Sequence, residues 1–186
     1  MTQGEAYPGS MFSLTDHELY IVSARHNGCD NGQIATWIMP ATLVVEQPRI
    51  VALISPQNYT YSLIAPTGRF AVSMLSEEQH ELVPRFGLYS GRDIDKFQGV
   101  KTERTASGLL ILVDGCGWAD CVVVSTLDAG DRILMLADIV EQEFSCGTRP
   151  LRKNAAFALQ PREIRDLLDK KHRDDGERDK QWIRHF

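Results

Sequence analysis

The sequence predicts a mainly β protein, a β-barrel or closed sheet with short helices and one further helix at its C-terminus. Three observations carry that reading. Short apolar runs bounded by turn residues recur between residues 19 and 140. Only two brief helical stretches interrupt them, too few to cover both faces of an open parallel sheet. From Pro161 onward the composition turns abruptly to dense charge of both signs, and no internal repeat is present.

Taken in order, residues 1–11 contain Gly4, Pro8 and Gly9 without periodicity and read as a flexible arm. Residues 19–24 form the first strand. A polar turn follows over 26–32, where the dipeptides Asn27-Gly28 and Asn31-Gly32 bracket Cys29 and Asp30, and a hairpin is the simplest outcome. Beyond it, Ile34, Thr36 and Ile38 alternate with Ala35, Trp37 and Met39 until Pro40 ends ladder pairing. Residues 50–54 are apolar throughout and read as a strand buried on both faces. That strand runs into Ser55-Pro56-Gln57-Asn58-Tyr59-Thr60, a cluster of hydroxyls and amides ahead of a short helical run at Leu63-Ile64. Free N–H groups at such a start favour an anion, usually a phosphate.

Pro66, Thr67 and Gly68 stop that helix, and residues 70–75 form another strand. Ser76-Glu77-Glu78-Gln79 has the spacing of a capping box and predicts a helix over 77–86. A loop over 87–91 and one helical turn over 93–97 come next. In that turn Asp93 and Asp95 are expected to form local ion pairs with Arg92 and Lys96. Strands are predicted at 109–113, 118–124 and 133–140, the last two joined through Leu127-Asp128-Ala129-Gly130-Asp131 as a second hairpin. Ile164, Leu167 and Leu168 fall at helical spacing, which predicts an amphipathic helix whose charged face meets solvent.

Composition narrows the function classes. A chain of 186 residues, 43% hydrophobic, suits one core and one domain with an appended element. The net charge of -5 without a basic block argues against nucleic acid. No apolar run approaches the ~20 residues that span a bilayer, and the N-terminus lacks the basic and apolar regions of a secretory signal, so a cytoplasmic address is expected. Cys29, Cys116, Cys121 and Cys146 show no C-x-x-C spacing and read as free thiols. Cys121, in an apolar run, reads as a small buried hydrophobe, whereas Cys29 lies in a polar turn near the proposed pocket. His17, His26, His80, His172 and His185 are scattered, and neither H-E-x-x-H nor G-x-S-x-G occurs. Metal catalysis and acyl transfer therefore have no motif to build on.

Residues 31–60 thus read as one wall of a cofactor pocket, with Ser55, Gln57, Asn58 and Thr60 as donors and Arg85 as a source of a charge-assisted bond. Pattern alone leaves the alternatives open. The loop also reads as a strand-to-helix turn capped by Asn58 or Thr60, Trp37 as core, and Arg85 as a solvated cation at a helix end.

The motifs NGQIATW, SPQNYT, GRFAVSML and SGRDIDKF, in that order, resemble the flavin reductase-like family of FMN-binding split barrels over residues 12–152, leaving 153–186 as a C-terminal extension. The resemblance implies a split barrel that binds FMN non-covalently, with FAD as a possible substitute, and a homodimer with the flavin site at its interface. By that resemblance, Gln33, Ala35, Thr36 and Trp37 would meet the ring and ribityl chain. Ser55, Pro56, Gln57, Asn58, Tyr59 and Thr60, with Arg85 and Phe86, would complete the site, and SGRDIDKF would lie near its entrance. No catalytic residue is singled out.

The implied activity is that of an NAD(P)H-dependent flavin reductase. The alternatives are an electron-transfer flavoprotein with tightly bound FMN reduced by a protein partner, and a barrel that binds no flavin and serves as an interaction module. Two departures from the family pattern bear on the hydride donor. Arg132 stands where relatives that use NAD(P)H often carry a histidine, and Arg152-Lys153-Asn154 follows Pro150-Leu151 where they tend to have an aromatic residue, a histidine and a glycine. Flavin binding is therefore better supported than nicotinamide-dependent turnover. Arg132 itself could hold a negatively charged substrate or the N1 charge of a reduced flavin.

Overall fold

A computed structural model describes residues 10–184 of the chain. The arm expected at 1–11 lies almost wholly outside the described residues, as does His185; Met11–Leu14 is a 3-10 turn whose Ser10 side chain accepts from the Phe12 N–H. The first hairpin is as expected. Strands β1 (Tyr20–His26) and β2 (Cys29–Ala35) pair antiparallel. Asn27 and Gly28 make the turn with φ of 49° and 79°, the double left-handed conformation that two-residue hairpins require.

Asn31-Gly32, by contrast, is not a turn. Both residues lie inside β2, and Gly32 is there for space: a Cβ would sit 2.9 Å from Phe97 Cζ and 3.0 Å from Phe86 Cε1. Nor is the run from 34 to 39 one strand. It breaks at Thr36-Trp37, and β3 (Ile38–Pro40) pairs instead with β4 (Arg49–Ile54). In β4 Ile50, Ala52 and Ile54 are buried while Val51 and Leu53 are only partly covered, so the expected two-sided burial is one-sided.

The remaining strands of the main sheet are β5 (Arg69–Met74), β8 (Gly117–Asp128) and β9 (Ile133–Phe144). The seven strands run antiparallel in the order β2-β1-β5-β8-β9-β4-β3. β2 and β3 are the two edges of this sheet, yet only Thr36 and Trp37 separate them in sequence. Three Cα steps reach at most roughly 11 Å, so the sheet must curl until its edges nearly meet. Register shifts between Asp120 and Cys121 and between Val123 and Ser125 give β8 the local twist that such curvature needs.

Helix α1 (Tyr59–Ile64) sends Leu63 and Ile64 into the barrel core beside Val22, Phe70 and Met135. A second core lies on the other face of β1, where Ile21 meets Leu75, Phe86, Phe97 and Leu151. Cys121 is fully buried in the first core, and burial pushes its thiol up to about 12.

The helix expected over 77–86 is divided into a 3-10 turn (Glu77–Gln79), in which the Ser76 N–H donates to Gln79 Oε1 at 3.2 Å, and α2 (Leu82–Leu88). Pro84 explains the division. It has no N–H to continue a helix from 77, but it is tolerated in the first turn of a new one. Residues 93–97 form turns rather than a helix.

The strand expected at 109–113 is β7 (Leu110–Leu112), but it joins no strand of the main sheet: it pairs with β6 (Thr102–Arg104) in a separate ribbon, which hangs on the barrel through Ser23, donating to the Leu110 carbonyl, and Ser73, accepting from the Leu112 N–H. Neither β6 nor α3 (Lys153–Ala158), which precedes the expected helix α4 (Arg162–Asp179), had a sequence signal strong enough to predict it.

The packing at Gly32 makes a direct prediction. Gly32→Ala should destabilise the fold by about 1–3 kcal/mol, because both facing rings are buried and the backbone is held in a ladder. Urea denaturation of the two proteins checks it.

Candidate crevice for a mononucleotide

The strand break that closes the barrel also builds the site. Trp37 is fixed from the β4 side, since its carbonyl accepts the Leu53 N–H at 3.1 Å. The loop leaving β4 stands beside it, turned by Ser55, whose carbonyl and hydroxyl accept from the N–H groups of Asn58 and Gln57. Helix α4 passes over both, and between them lies a crevice in two halves.

The first half, about 340 Å³, is mostly apolar, with Ile34, Leu53, Ile54, Phe157 and Leu168 around Trp37 and with Thr36 and Ser55 as polar points. The second, about 380 Å³, is polar and cationic, with Gln57, Thr60, Arg92, Lys96, Lys171 and Arg178 on its walls. Gln33 and Asn58 line both, so the halves adjoin. Each falls in the range of small-molecule sites, ~300–1,000 Å³.

The polar groups are tightly placed. Asn31 is buried in β2 and donates to Thr60 Oγ1 at 2.9 Å. The hydroxyl proton of Thr60 is thereby left for another acceptor. Asn31 Oδ1 and Gln33 Oε1 are buried and have no hydrogen-bond partner among the described residues. Asn31 Oδ1 also demands a glycine at 91, where a Cβ would lie 1.9 Å away.

Lys96 is only 5% exposed, donates to the carbonyls of Gly32 (2.8 Å) and Phe86 (3.4 Å), and forms no ion pair among the described residues. Burial, helped by the charge of Lys171, pulls its ammonium down to about 8. Arg92 stacks over Tyr59 at 4.8 Å. At the far end Arg132 lies 5.3 Å over the Trp37 ring and bonds Asp179 of α4 at 2.6 Å.

Of the residues singled out from sequence, Gln33, Ala35, Thr36, Trp37, Ser55 and Asn58 line the first half, and Gln33, Gln57, Asn58, Tyr59, Thr60 and Phe86 the second. Pro56 shapes the loop without lining either half. Arg85 is elsewhere: its guanidinium donates to the Gln98 carbonyl at 2.7 Å, beside a separate cavity with Glu78 and Lys101. The local ion pairs expected around Arg92 and Lys96 do not form among the described residues. Both cations turn to the crevice instead.

Sequence reasoning missed Asn31, which looked like part of a turn, and the cations of α4, which looked solvated. A signal for α4 existed: Leu168, Lys171, Asp175 and Arg178 recur at helical spacing on one stripe.

The fold is a curled antiparallel sheet whose closing strand break faces a hydroxyl-and-amide loop, with a mostly apolar and a cationic cavity side by side as the candidate site. The chain belongs to the flavin reductase like domain family, whose family model matches residues 12–152. It is 30% identical over 134 residues to the high molecular weight rubredoxin of Moorella thermoacetica, covering 71% of this chain but only 57% of that protein. It is 29% identical, also over 134 residues, to the ferric-chelate reductase (NAD(P)H) of Archaeoglobus fulgidus, covering 71% of this chain and 78% of the reductase. The crystal structure of an FMN-binding protein from Thermus thermophilus superposes with a TM-score of 0.68 at 23% identity, over 79% of this chain and 80% of that one.

Lys96 carries a pH prediction. Its folded value of about 8 lies below the ordinary 10.5, so between those two the unfolded chain holds a proton that the folded chain has released. Stability of the ligand-free protein should therefore rise as pH climbs through that window. Lys96→Met should lack this rise, as read from urea midpoints across the same window.

Proposed function

We propose that the protein is an FMN-binding redox flavoprotein that works as an NAD(P)H-dependent flavin reductase-type oxidoreductase. One observation carries this reading: the order of chemistries along the crevice, apolar around Trp37, amide at Gln33 and Asn58, cationic around Lys96. FMN has the same order, a flat ring, a polyol and a phosphate dianion. The buried oxygens of Asn31 and Gln33, which have no partner among the described residues, suit a hydroxyl-bearing chain at the junction.

Trp37, Ala35 and Thr36 would hold the ring edge, Gln33 and Asn58 the ribityl chain, and Thr60, Arg92 and Lys96 the phosphate. When bound, FMN supplies the exchange between hydride and single-electron chemistry, and the protein supplies position and electrostatics. Ile34, Leu53 and Leu168 keep water from the apolar half. Arg132 is already paired with Asp179 and Asp131, so its role at this end is to lie over Trp37 and tie α4 to the barrel.

A second reading has its own support. The C-terminal segment docks on the β8–β9 turn through Arg132–Asp179, through the Arg184 N–H to the Ala129 carbonyl at 3.2 Å, and through Arg184–Asp128. This contact narrows the approach to the apolar half. It suits an electron-transfer flavoprotein whose tightly held FMN is reduced by a protein partner.

Under either reading we place the protein in the cytoplasm as a homodimer with the crevice at its interface. The exposed Val124, Leu127, Val140 and Phe144 of the β8–β9 hairpin support dimerisation. Four thiols without a disulfide suit a reducing compartment. No helix among the described residues is long and apolar enough to cross a membrane.

Anaerobic mixing of the FMN-loaded protein with NADH or NADPH should bleach the flavin band. Absence of bleaching by both, with FMN retained through gel filtration, selects the second reading. Loss of all flavin on the column, in protein that also fails to bind FMN on titration, removes both. At the level of a single residue, Thr60→Ala should weaken FMN binding by about 1 kcal/mol or more through the lost hydroxyl donor. An unchanged titration would limit Thr60 to holding Asn31.

A further inference from the structure

Helix α4 lies beyond the span that the family model matches, yet one of its faces forms a wall of the crevice. It is held there at two points. Leu168 packs in the second core above Gly87, where an added Cβ would come within 3.4 Å of it. Asp179, buried, accepts from Arg132 of the barrel at 2.6 Å. Lys171 follows Leu168 by three residues, on the same stripe, and so turns toward the second half of the crevice.

Across that space stands Lys96. Two ammonium groups facing a shared cavity repel each other, and a dianion between them reverses the sign of the interaction. The other charged or titratable side chains on this half are Tyr59, Tyr89, Arg92, His172, Asp175 and Arg178. Asp175, the one carboxylate among them, already accepts from Arg178 at 3.0 Å and Lys171 at 2.9 Å. Positive charge therefore remains in excess. Burial first, and then the charge of Lys171, pulls the Lys96 ammonium down, in keeping with two cations that share one cavity.

We propose that Lys171 is a phosphate-binding residue, forming with Lys96 an anion subsite that takes the phosphate monoester of a mononucleotide. The proposal rests on the flavin reading above and deepens it. It makes the C-terminal helix part of the cofactor site rather than an appendage. Ligand binding and the docking of α4 are then linked, each strengthening the other by the same factor.

The test is titration of FMN and of riboflavin, which lacks the phosphate, into the full-length wild type and the variants Lys171→Gln, Lys171→Arg and Lys170→Gln. Lys170 is exposed and pairs with Asp174, so it serves as a neighbour on the same helix that does not line the crevice. Lys171→Gln should weaken FMN by about tenfold, the effect of losing one charge-assisted phosphate bond, and leave riboflavin unchanged. Lys171→Arg should restore most of the FMN affinity, and Lys170→Gln should match wild type for both ligands. FMN, but not riboflavin, should also slow tryptic cleavage within α4 of the wild type.

Equal FMN affinity in wild type and Lys171→Gln would overturn the proposal while leaving the flavin reading intact. Equal loss of FMN and riboflavin would overturn it as well, since packing rather than phosphate recognition would then be at work. A wild type that binds neither flavin would overturn the flavin reading itself, and the proposal with it.

Discussion

The structure depends on the closure of one sheet across two residues. Thr36 and Trp37 join the strands at its opposite edges, and the chain has no slack to do so unless the sheet bends on itself. Closure places the break in the ladder beside the loop from β4, because β3 and β4 are neighbours. A ladder interrupted there leaves Thr36 and Trp37 lining a cavity instead of pairing with another strand. The site is thus a consequence of how the barrel is shut.

The second constraint is electrostatic. A lysine that is 5% exposed, hydrogen-bonded to two carbonyls and without a carboxylate partner among the described residues is costly to keep charged. An anion placed beside it would offset that cost. Gly32 contributes to both constraints: its missing side chain admits the Phe86–Phe97 contact, at 5.1 Å between ring centroids, and its carbonyl anchors Lys96. Core packing and the electrostatics of the crevice meet at one residue of β2.

Much of this was legible in the sequence because it is local. Alternating apolar residues and turn dipeptides located β1, β5, β8 and β9, and the run of hydroxyls and amides located the loop ahead of α1. What misled was local too. Asn31-Gly32 has the composition of a turn, but Asn31 is a buried donor to Thr60 and Gly32 a cleft for two rings, roles that depend on residues far along the chain. Arg85 and Phe86 are adjacent in sequence, but neighbours on a helix point apart, and only Phe86 reaches the crevice. The charged stripe of α4 reads as solvated until Leu168 is seen to seat it against α2.

By itself, then, the sequence determined the element types, the mainly β class and the family-like succession of motifs, since each depends on residues within a few positions of one another. Tertiary structure alone decided that the two sheet edges meet, that Lys96 is buried without a counter-charge among the described residues, and that Arg132 of the barrel lines one half of the crevice while Lys171 of α4 lines the other. Those facts arise from contacts between distant segments, and no local pattern of residue types encodes the distance between two charges across a cavity.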